Sequence, residues 1–352
     1  ASLAFVEAPI ETSLLTKQVQ STRTLLYDLV KEFRSELSYP LIGITGSNGK
    51  TTTKDLLFHV LSEKMGVMKT EGNYNSTIGA PLSLLSFEKN ADIGIIEMGA
   101  NQPGEIERIC SVIKPNMGLI TNIGNAHLAN FESKNEISKT KSALFESLPS
   151  NGVAFINLDD PYILKMNILC SRIEYSLNTT ADYQGTWMNK AKQLKIDDII
   201  IDLSAYSKIM NMNSLAVYSI AAELGYPKSS ISSRIESFDV PKGRGEVFKV
   251  HDYTIINDSY NANLESAKLG IHNLSIIQCD GRKITVIGDM LELGSKEKES
   301  HQILGKYLID KKIDAVFAYG NLSKYIIQSM DGAKGIHQFY SDKKMLISDL
   351  KE

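Results

Sequence analysis

The chain predicts an α/β protein in which a central, doubly wound, mostly parallel sheet domain of P-loop type is followed by a smaller Rossmann-like α/β domain. Three observations carry this. Short apolar runs at 41–44, 93–98, 118–123 and 153–158 alternate with helical patterns, which is the signature of parallel strands joined by crossover helices. A glycine-rich turn follows the first run. After the turn-forming Pro241-Lys242-Gly243-Arg244-Gly245 the alternation restarts, with apolar runs at 254–256, 284–287 and 315–319, each followed by a helix-like stretch.

Taken in order, the first run leads into a helical stretch at 54–64. Ser133 followed by Glu136 forms a capping box, and Ile137, Leu144 and Leu148 share one face of the helix it opens, so Lys141 lies within a helix. From 160 to 212 the pattern weakens, and Ile199-Ile200-Ile201 between acidic residues is the clearest strand there. Helical periodicity returns at 213–224 and stops at Gly225-Tyr226-Pro227. A second helical piece ends near Phe238, which places a domain boundary near residue 239. No internal repeat or low-complexity segment stands out.

A chain of 352 residues exceeds the size at which one core stops growing, so two domains are expected. Lys and Arg number 38 against 41 Asp and Glu, which leaves no basic surplus for a nucleic-acid backbone. No apolar run approaches the roughly 20 residues that span a bilayer. Cys110, Cys170 and Cys279 are widely spaced, without metal-ligand spacing, and read as buried small hydrophobes in a reducing compartment. The expectation is a cytoplasmic monomer with no nucleic-acid partner and no membrane insertion.

The run Gly43-Ile44-Thr45-Gly46-Ser47-Asn48-Gly49-Lys50-Thr51-Thr52-Thr53 sits between strand and helix. Loop N–H groups and a helix N-terminus form an anion cradle, Lys50 supplies a point charge for outer phosphates, and the Thr51 hydroxyl can hold Mg2+. The usual spacing wants glycine at position 44, which is isoleucine here, so the loop is a variant with Gly46 inside it. A plain glycine-rich turn is the alternative; Gly-Lys-Thr between strand and helix favours a nucleoside triphosphate.

Ligands of open parallel sheets collect beyond the carboxyl ends of the strands. Glu97 ends the second run and His127 follows the third, giving Mg2+ a carboxylate and an imidazole beside Thr51. An acid in so apolar a run needs a partner or a metal. Imidazole is the less common Mg2+ ligand, and a histidine after a strand is as readily structural. In the second half, Asn257-Asp258-Ser259-Tyr260-Asn261-Ala262-Asn263 and Gly288-Asp289-Met290-Leu291-Glu292-Leu293-Gly294 follow strands, and Arg244 stands at the domain junction. The first of these clusters reads equally as a hydrogen-bonding turn. Two polar strand ends facing a phosphate loop suggest domain closure over a nucleotide.

These segments, with Glu71-Gly72-Asn73-Tyr74-Asn75-Ser76-Thr77-Ile78-Gly79, Glu97-Met98-Gly99-Ala100-Asn101 and Ala126-His127-Leu128, resemble the Mur ligases, ATP-dependent amide-forming enzymes of peptidoglycan biosynthesis. The second-half motifs are similar to those of the branch that joins D-alanyl-D-alanine to UDP-N-acetylmuramoyl-tripeptide, so those two substrates are the implied partners. The resemblance implies that Gly46, Ser47, Asn48, Gly49, Lys50, Thr51 and Thr52 hold the ATP phosphates. Thr51 and Glu97 would take one Mg2+, and His127 with Lys141 would serve a second. Lys141 aligns with a lysine this family carbamylates. Asn213, Arg244, Asp258 and Tyr260 would contact the nucleotide, and Asn73 and Asn75 would face the acceptor. Lys50, Lys141 and His127 carry the implied catalysis.

Against the family pattern, residues 1–38 read as the remnant of an amino-terminal domain and a linker, 39–238 as the ATP-binding domain, and 239–352 as a carboxyl-terminal domain lacking a final strand and helix. Ile209-Met210 replace an expected His-Asn pair before Asn213. The alternatives are a folylpolyglutamate- or cyanophycin-type ligase on the same core, and a truncated nucleotide-binding module without ligase chemistry.

Overall fold

The computed structural model describes residues 3–125, 129–188, 192–203 and 210–351. It opens with β1 (Leu3–Val6) and β2 (Leu15–Gln18), a parallel pair, and α1 (Thr22–Glu36). Ser21 caps α1 by accepting from Thr24 N–H. Val30 of α1 is fully buried, and Arg34 donates to the carbonyls of Ile113 and Lys114 and to Asn116 Oδ1, so α1 is fastened to the body that follows.

That body alternates β3 (Leu41–Thr45), α2 (Lys50–Leu61), β4 (Val67–Lys69), α3 (Gly79–Leu85), β5 (Ile93–Glu97), α4 (Glu105–Ile113), β6 (Met117–Ile120), α5 (Lys134–Glu146) and β7 (Val153–Asn157). It continues through β8 (Ser171–Ser176), β9 (Tyr183–Met188), β10 (Gln193–Ile196), β11 (Ile199–Asp202), α6 (Met210–Glu223) and α7 (Lys228–Glu236). The nine strands form one sheet in the order β11-β10-β9-β8-β7-β6-β3-β5-β4. Pairing is parallel from β4 across to β9, and antiparallel where β10 meets β9 and β11. Chain order reverses around β3, with β5 on one side and β6 on the other, so the crevice beyond the β3 carboxyl end is a topological switch point.

Strand periodicity divides the core between the two sheet faces. Ile42, Ile44, Ile95 and Leu119 pack with α2, α6 and α7, whereas Leu41, Ile96 and Ile120 pack with α1, α3, α4 and α5. The segment 160–212, which read weakly as sequence, supplies four strands, ending in the β10–β11 hairpin around Asp197-Asp198. Helix α6 is described from Met210 onward, so the chain is already helical three residues before the expected start.

The rest comprises β12 (Glu246–Val250), β13 (Tyr253–Asn257), α8 (Leu264–Ile276), β14 (Ile284–Ile287), α9 (Glu297–Asp310), β15 (Ala315–Tyr319), α10 (Lys324–Gln328), β16 (Ile336–Tyr340) and α11 (Lys343–Asp349). Strands β14, β15 and β16 form a parallel sheet in that order. The strand expected at 254–256 pairs antiparallel with β12, not with the parallel strands. The two-residue turn His251-Asp252, with His251 at φ +52°, folds it back on its predecessor. The expectation of three buried cysteines is corrected: Cys110 is buried, Cys170 is half-buried, and Cys279, in the connection after α8, is exposed. Among the described residues no helix is long and apolar enough to cross a membrane.

Candidate functional site

The turn from β3 into α2 occupies the switch point. Gly49 adopts φ +82° and precedes α2 without a side-chain cap, which leaves the first N–H groups of the helix open to an anion. Gly46, at φ +148°, lies so close to Thr121 Oγ1 that a Cβ there would collide with it. The loop is tied to the segment following β6. Ser47 N–H donates to Asn122 O at 2.9 Å, Asn48 N–H donates to Asn122 Oδ1 at 3.1 Å, and Asn48 O accepts from Thr121 Oγ1 and Asn122 Nδ2. Lys50 Nζ curls over this turn and donates to Gly46 O at 2.7 Å. Burial pulls the Lys50 pKa down, Glu97 opposes that, and Arg244 adds to it.

Glu97, at the end of β5, is 1% exposed. Its Oε1 accepts from Thr51 Oγ1 at 3.0 Å and from Asn75 Nδ2 at 2.7 Å. Its Oε2 has no hydrogen-bond partner, although Lys54 Nζ stands 3.6 Å away. Lys54 is wholly buried and donates to the carbonyls of Thr70 at 2.8 Å and Gly72 at 3.1 Å. A buried carboxylate oxygen without a hydrogen bond, beside a hydroxyl, is a hard-oxygen donor set that fits Mg2+. No cluster of three or more His, Cys, Asp or Glu suited to a metal occurs among the described residues.

Lys141 projects from α5 and is 3% exposed. Burial and the Lys50 ammonium both push its pKa well below the usual lysine value, so its amine sheds its proton far more readily than a surface lysine. The Ser133 cap of α5 forms as expected, but Glu136 reaches back to Glu132 N–H instead of to Ser133.

Arg244 stacks on the Tyr260 ring, its guanidinium carbon 3.8 Å from the ring centroid. The Asp258 carboxyl lies against α8 at Gly270; burial raises its pKa while Arg244 opposes the rise. Asn213 is buried with Nδ2 unpartnered, and its amide lies 3.0 Å from where a Cβ on Gly49 would stand. The β13 end meets the phosphate loop directly, because Asn263 Nδ2 donates to Asn48 Oδ1 at 2.8 Å.

The structure thus gathers Gly46, Ser47, Asn48, Gly49, Lys50, Thr51 and Thr52 with Glu97, Lys141, Asn213 and Arg244 around one crevice. Asn75 is occupied by Glu97, whereas Asn73 is exposed. His127 lies outside the described residues. Asp289, read as a polar strand end, is consumed structurally. It accepts from the N–H groups of Asn321, Leu322 and Ser323, and although burial raises its pKa, these bonds bring it below the ordinary carboxylate value. Sequence reasoning missed Lys54, and it grouped Asn263 with a polar strand end without giving it a role of its own. The available signal for Lys54 was a lysine closing a Thr-Thr-Thr run on a helix that must lie against the sheet.

A phosphate loop at the switch point, a buried acid beside its threonine and a second α/β sheet brought against the loop define the Mur ligase class, and the chain belongs to that family. The Mur ligase middle domain matches residues 44–221 and the Mur ligase, glutamate ligase domain matches 243–352. The chain is similar to the UDP-N-acetylmuramoyl-tripeptide--D-alanyl-D-alanine ligase of Bacillus subtilis (strain 168), with 33% identity over 342 residues, covering 95% of this chain and 75% of that protein. Among solved structures it is similar to MurF from Acinetobacter baumannii, at TM-score 0.89 and 26% identity, over 99% of this chain and 77% of the other. MurF ligase from Thermotoga maritima, solved in complex with ADP, gives 0.87 and 27% identity over 99% and 82%.

Proposed function

We propose that the protein is an ATP-dependent ligase that joins D-alanyl-D-alanine to UDP-N-acetylmuramoyl-tripeptide. The observation that carries this is the meeting of the loop bearing Lys50 with the second sheet's Asp258–Asn263 strand end, the motif typical of the branch named in the relatives above. In this reading residues 39–238 bind ATP, residues 239–352 close on it, and 1–38 are the remnant of an amino-terminal domain and a linker. On the same reading the protein works in the cytoplasm, where ATP and a UDP-linked substrate are at hand.

The loop N–H groups and the open first turn of α2 seat the phosphates, and Lys50 leaves its loop carbonyls to neutralise them. The tripeptide carboxylate attacks the γ-phosphorus, the bond to the β-γ bridging oxygen breaks, and ADP departs. The dipeptide amine then adds to the acyl phosphate carbon, and inorganic phosphate leaves as the amine gives up a proton. Negative charge develops at each step, and fixed cations and N–H groups stabilise it without reorganising. Thr51 and Glu97 would hold Mg2+, which supplies charge neutralisation at the phosphate oxygens. His127 and Lys141 would serve a second ion. With its pKa depressed, Lys141 readily gives up one proton to become a neutral amine, which can bond to the carbon of carbon dioxide and release a second proton, leaving an anionic carbamate in place of the cation. Asn213, Arg244, Asp258 and Tyr260 flank the nucleotide, and Asn73 faces the acceptor.

The test is phosphate release from ATP with Mg2+ and UDP-N-acetylmuramoyl-tripeptide, with and without D-alanyl-D-alanine. Dipeptide-dependent release is expected; release stimulated only by folates or by free amino acids would overturn the assignment.

A further inference from the structure

We propose that the first turn of α8 is a latch on the phosphate loop, and that Asn263 is a positioning residue coupling nucleotide binding to the seating of the small sheet. The inference deepens the ligase reading and rests on it.

Asn263 is held from its own side. Its Oδ1 accepts from Ser266 N–H at 2.9 Å, and its N–H donates to Ser266 Oγ at 3.0 Å, a reciprocal capping box. With the oxygen committed to the helix, the amide nitrogen points outward, where it donates to Asn48 Oδ1. The Asn48 backbone is already fastened to Thr121 and Asn122 on both its N–H and its carbonyl. Its side chain is the group left to report on anything approaching from the second sheet, and Asn263 takes it.

Two residues on, Glu265 makes the parallel contact. Its Oε1 accepts from Asn125 Nδ2 at 3.3 Å and lies 3.8 Å from Lys134 Nζ. Its Oε2 presses on Gly124 in the space a Cβ would fill. Gly124 in turn donates its N–H to Ser47 Oγ at 2.8 Å and accepts from the same hydroxyl at 3.1 Å. One helical turn therefore reaches adjacent loop residues, Asn48 directly and Ser47 through Gly124, just ahead of Lys50. The same half of the chain carries Arg244 and Tyr260, so whatever orders the loop also biases where those groups stand.

The cap and the latch separate by substitution. Serine caps helices about as well as asparagine but has no amide to extend, so Asn263→Ser keeps α8 and removes the latch; Asn48→Ala removes the acceptor. A neutral hydrogen bond of this kind is expected to raise KM for ATP about three- to tenfold in either variant, with a smaller effect on kcat. The double variant should be no worse than the worse single one, and the thermal midpoint of Asn263→Ser should match wild type. Unchanged KM in Asn263→Ser, or single effects that multiply in the double variant, would overturn the latch. If wild type shows no dipeptide-dependent turnover, the ligase reading fails by itself. Calorimetric titration of the same variants with Mg-ADP then decides the latch, with equal weakening in singles and double supporting it and undiminished affinity refuting it.

Discussion

Replacing Lys54 by methionine tests whether the buried charge arrangement behind the phosphate loop is understood. The ammonium has no contact with solvent, satisfies the carbonyls of Thr70 and Gly72, and is the cation nearest Glu97 Oε2, at 3.6 Å. Its other acidic neighbour, Asp55, keeps Lys69 at 2.7 Å after the change. The loss therefore falls on Glu97, a carboxylate left in low dielectric with one oxygen unpaired. Stranding one member of a buried pair costs about 3–5 kcal/mol. A value near 4 kcal/mol corresponds to about three orders of magnitude in the folding equilibrium. Trp187 is the single tryptophan and lies in β9 of the large sheet, so urea unfolding followed by its fluorescence reports on this body. Adding Glu97→Gln removes the stranded charge and should recover about 2 kcal/mol, about half the loss. Millimolar Mg2+ should stabilise the Lys54→Met variant more than wild type. A cost below about 1 kcal/mol, or a double variant as damaged as the sum of the singles, would refute the account.

Asp289→Asn removes the charge from a cap on three backbone N–H groups and should cost about 1–2 kcal/mol by thermal unfolding. Because the folded carboxyl pKa is depressed, the wild-type advantage should be full above the ordinary carboxylate value and vanish as pH falls through the folded one. Gly46→Ala drives a methyl into Thr121 at a backbone angle that side chains avoid, and titration should find ADP affinity reduced at least tenfold. Lys141→Met should abolish turnover and, after labelling with 13C-bicarbonate, lack the carbamate resonance expected of wild type. Since the folded Lys141 pKa is lowered, the unfolded chain binds the extra proton. Wild-type stability relative to the methionine variant should then rise with pH from the folded value up to the ordinary lysine value.

What was legible in the sequence was local. Gly49-Lys50-Thr51 announces a helix start built to receive an anion, because the chemistry lies within three consecutive residues. The alternation of β3, β5, β6 and β7 with helices is written in apolar runs buried on both faces. What was not legible depends on residues far apart in the chain. Lys54 gains its meaning from Thr70 and Glu97, and Asn263 from Asn48, at separations that no window of sequence spans. Asp289 misleads for the same reason: three N–H groups more than thirty residues on consume it. Strands β8 to β11 were largely unread because each leaves some residues exposed, which thins the apolar pattern. Strand β13 was read as a strand, but its partner is set by a turn residue, His251, whose left-handed angle sequence does not advertise.

The order of strands in the large sheet also has a bearing on engineering. The crevice lies beyond β3 and its immediate neighbours β5 and β6, whereas the β10–β11 hairpin lies five strand spacings or more from β3, at the margin of the sheet. Its tip, Asp197-Asp198, is exposed, and Asp197 accepts from the surface ammonium of Lys228. An epitope or a fluorophore-bearing peptide inserted there would ride on a rigid sheet without entering the crevice, offering a fixed reference point from which movements of the other half of the chain could be measured by distance.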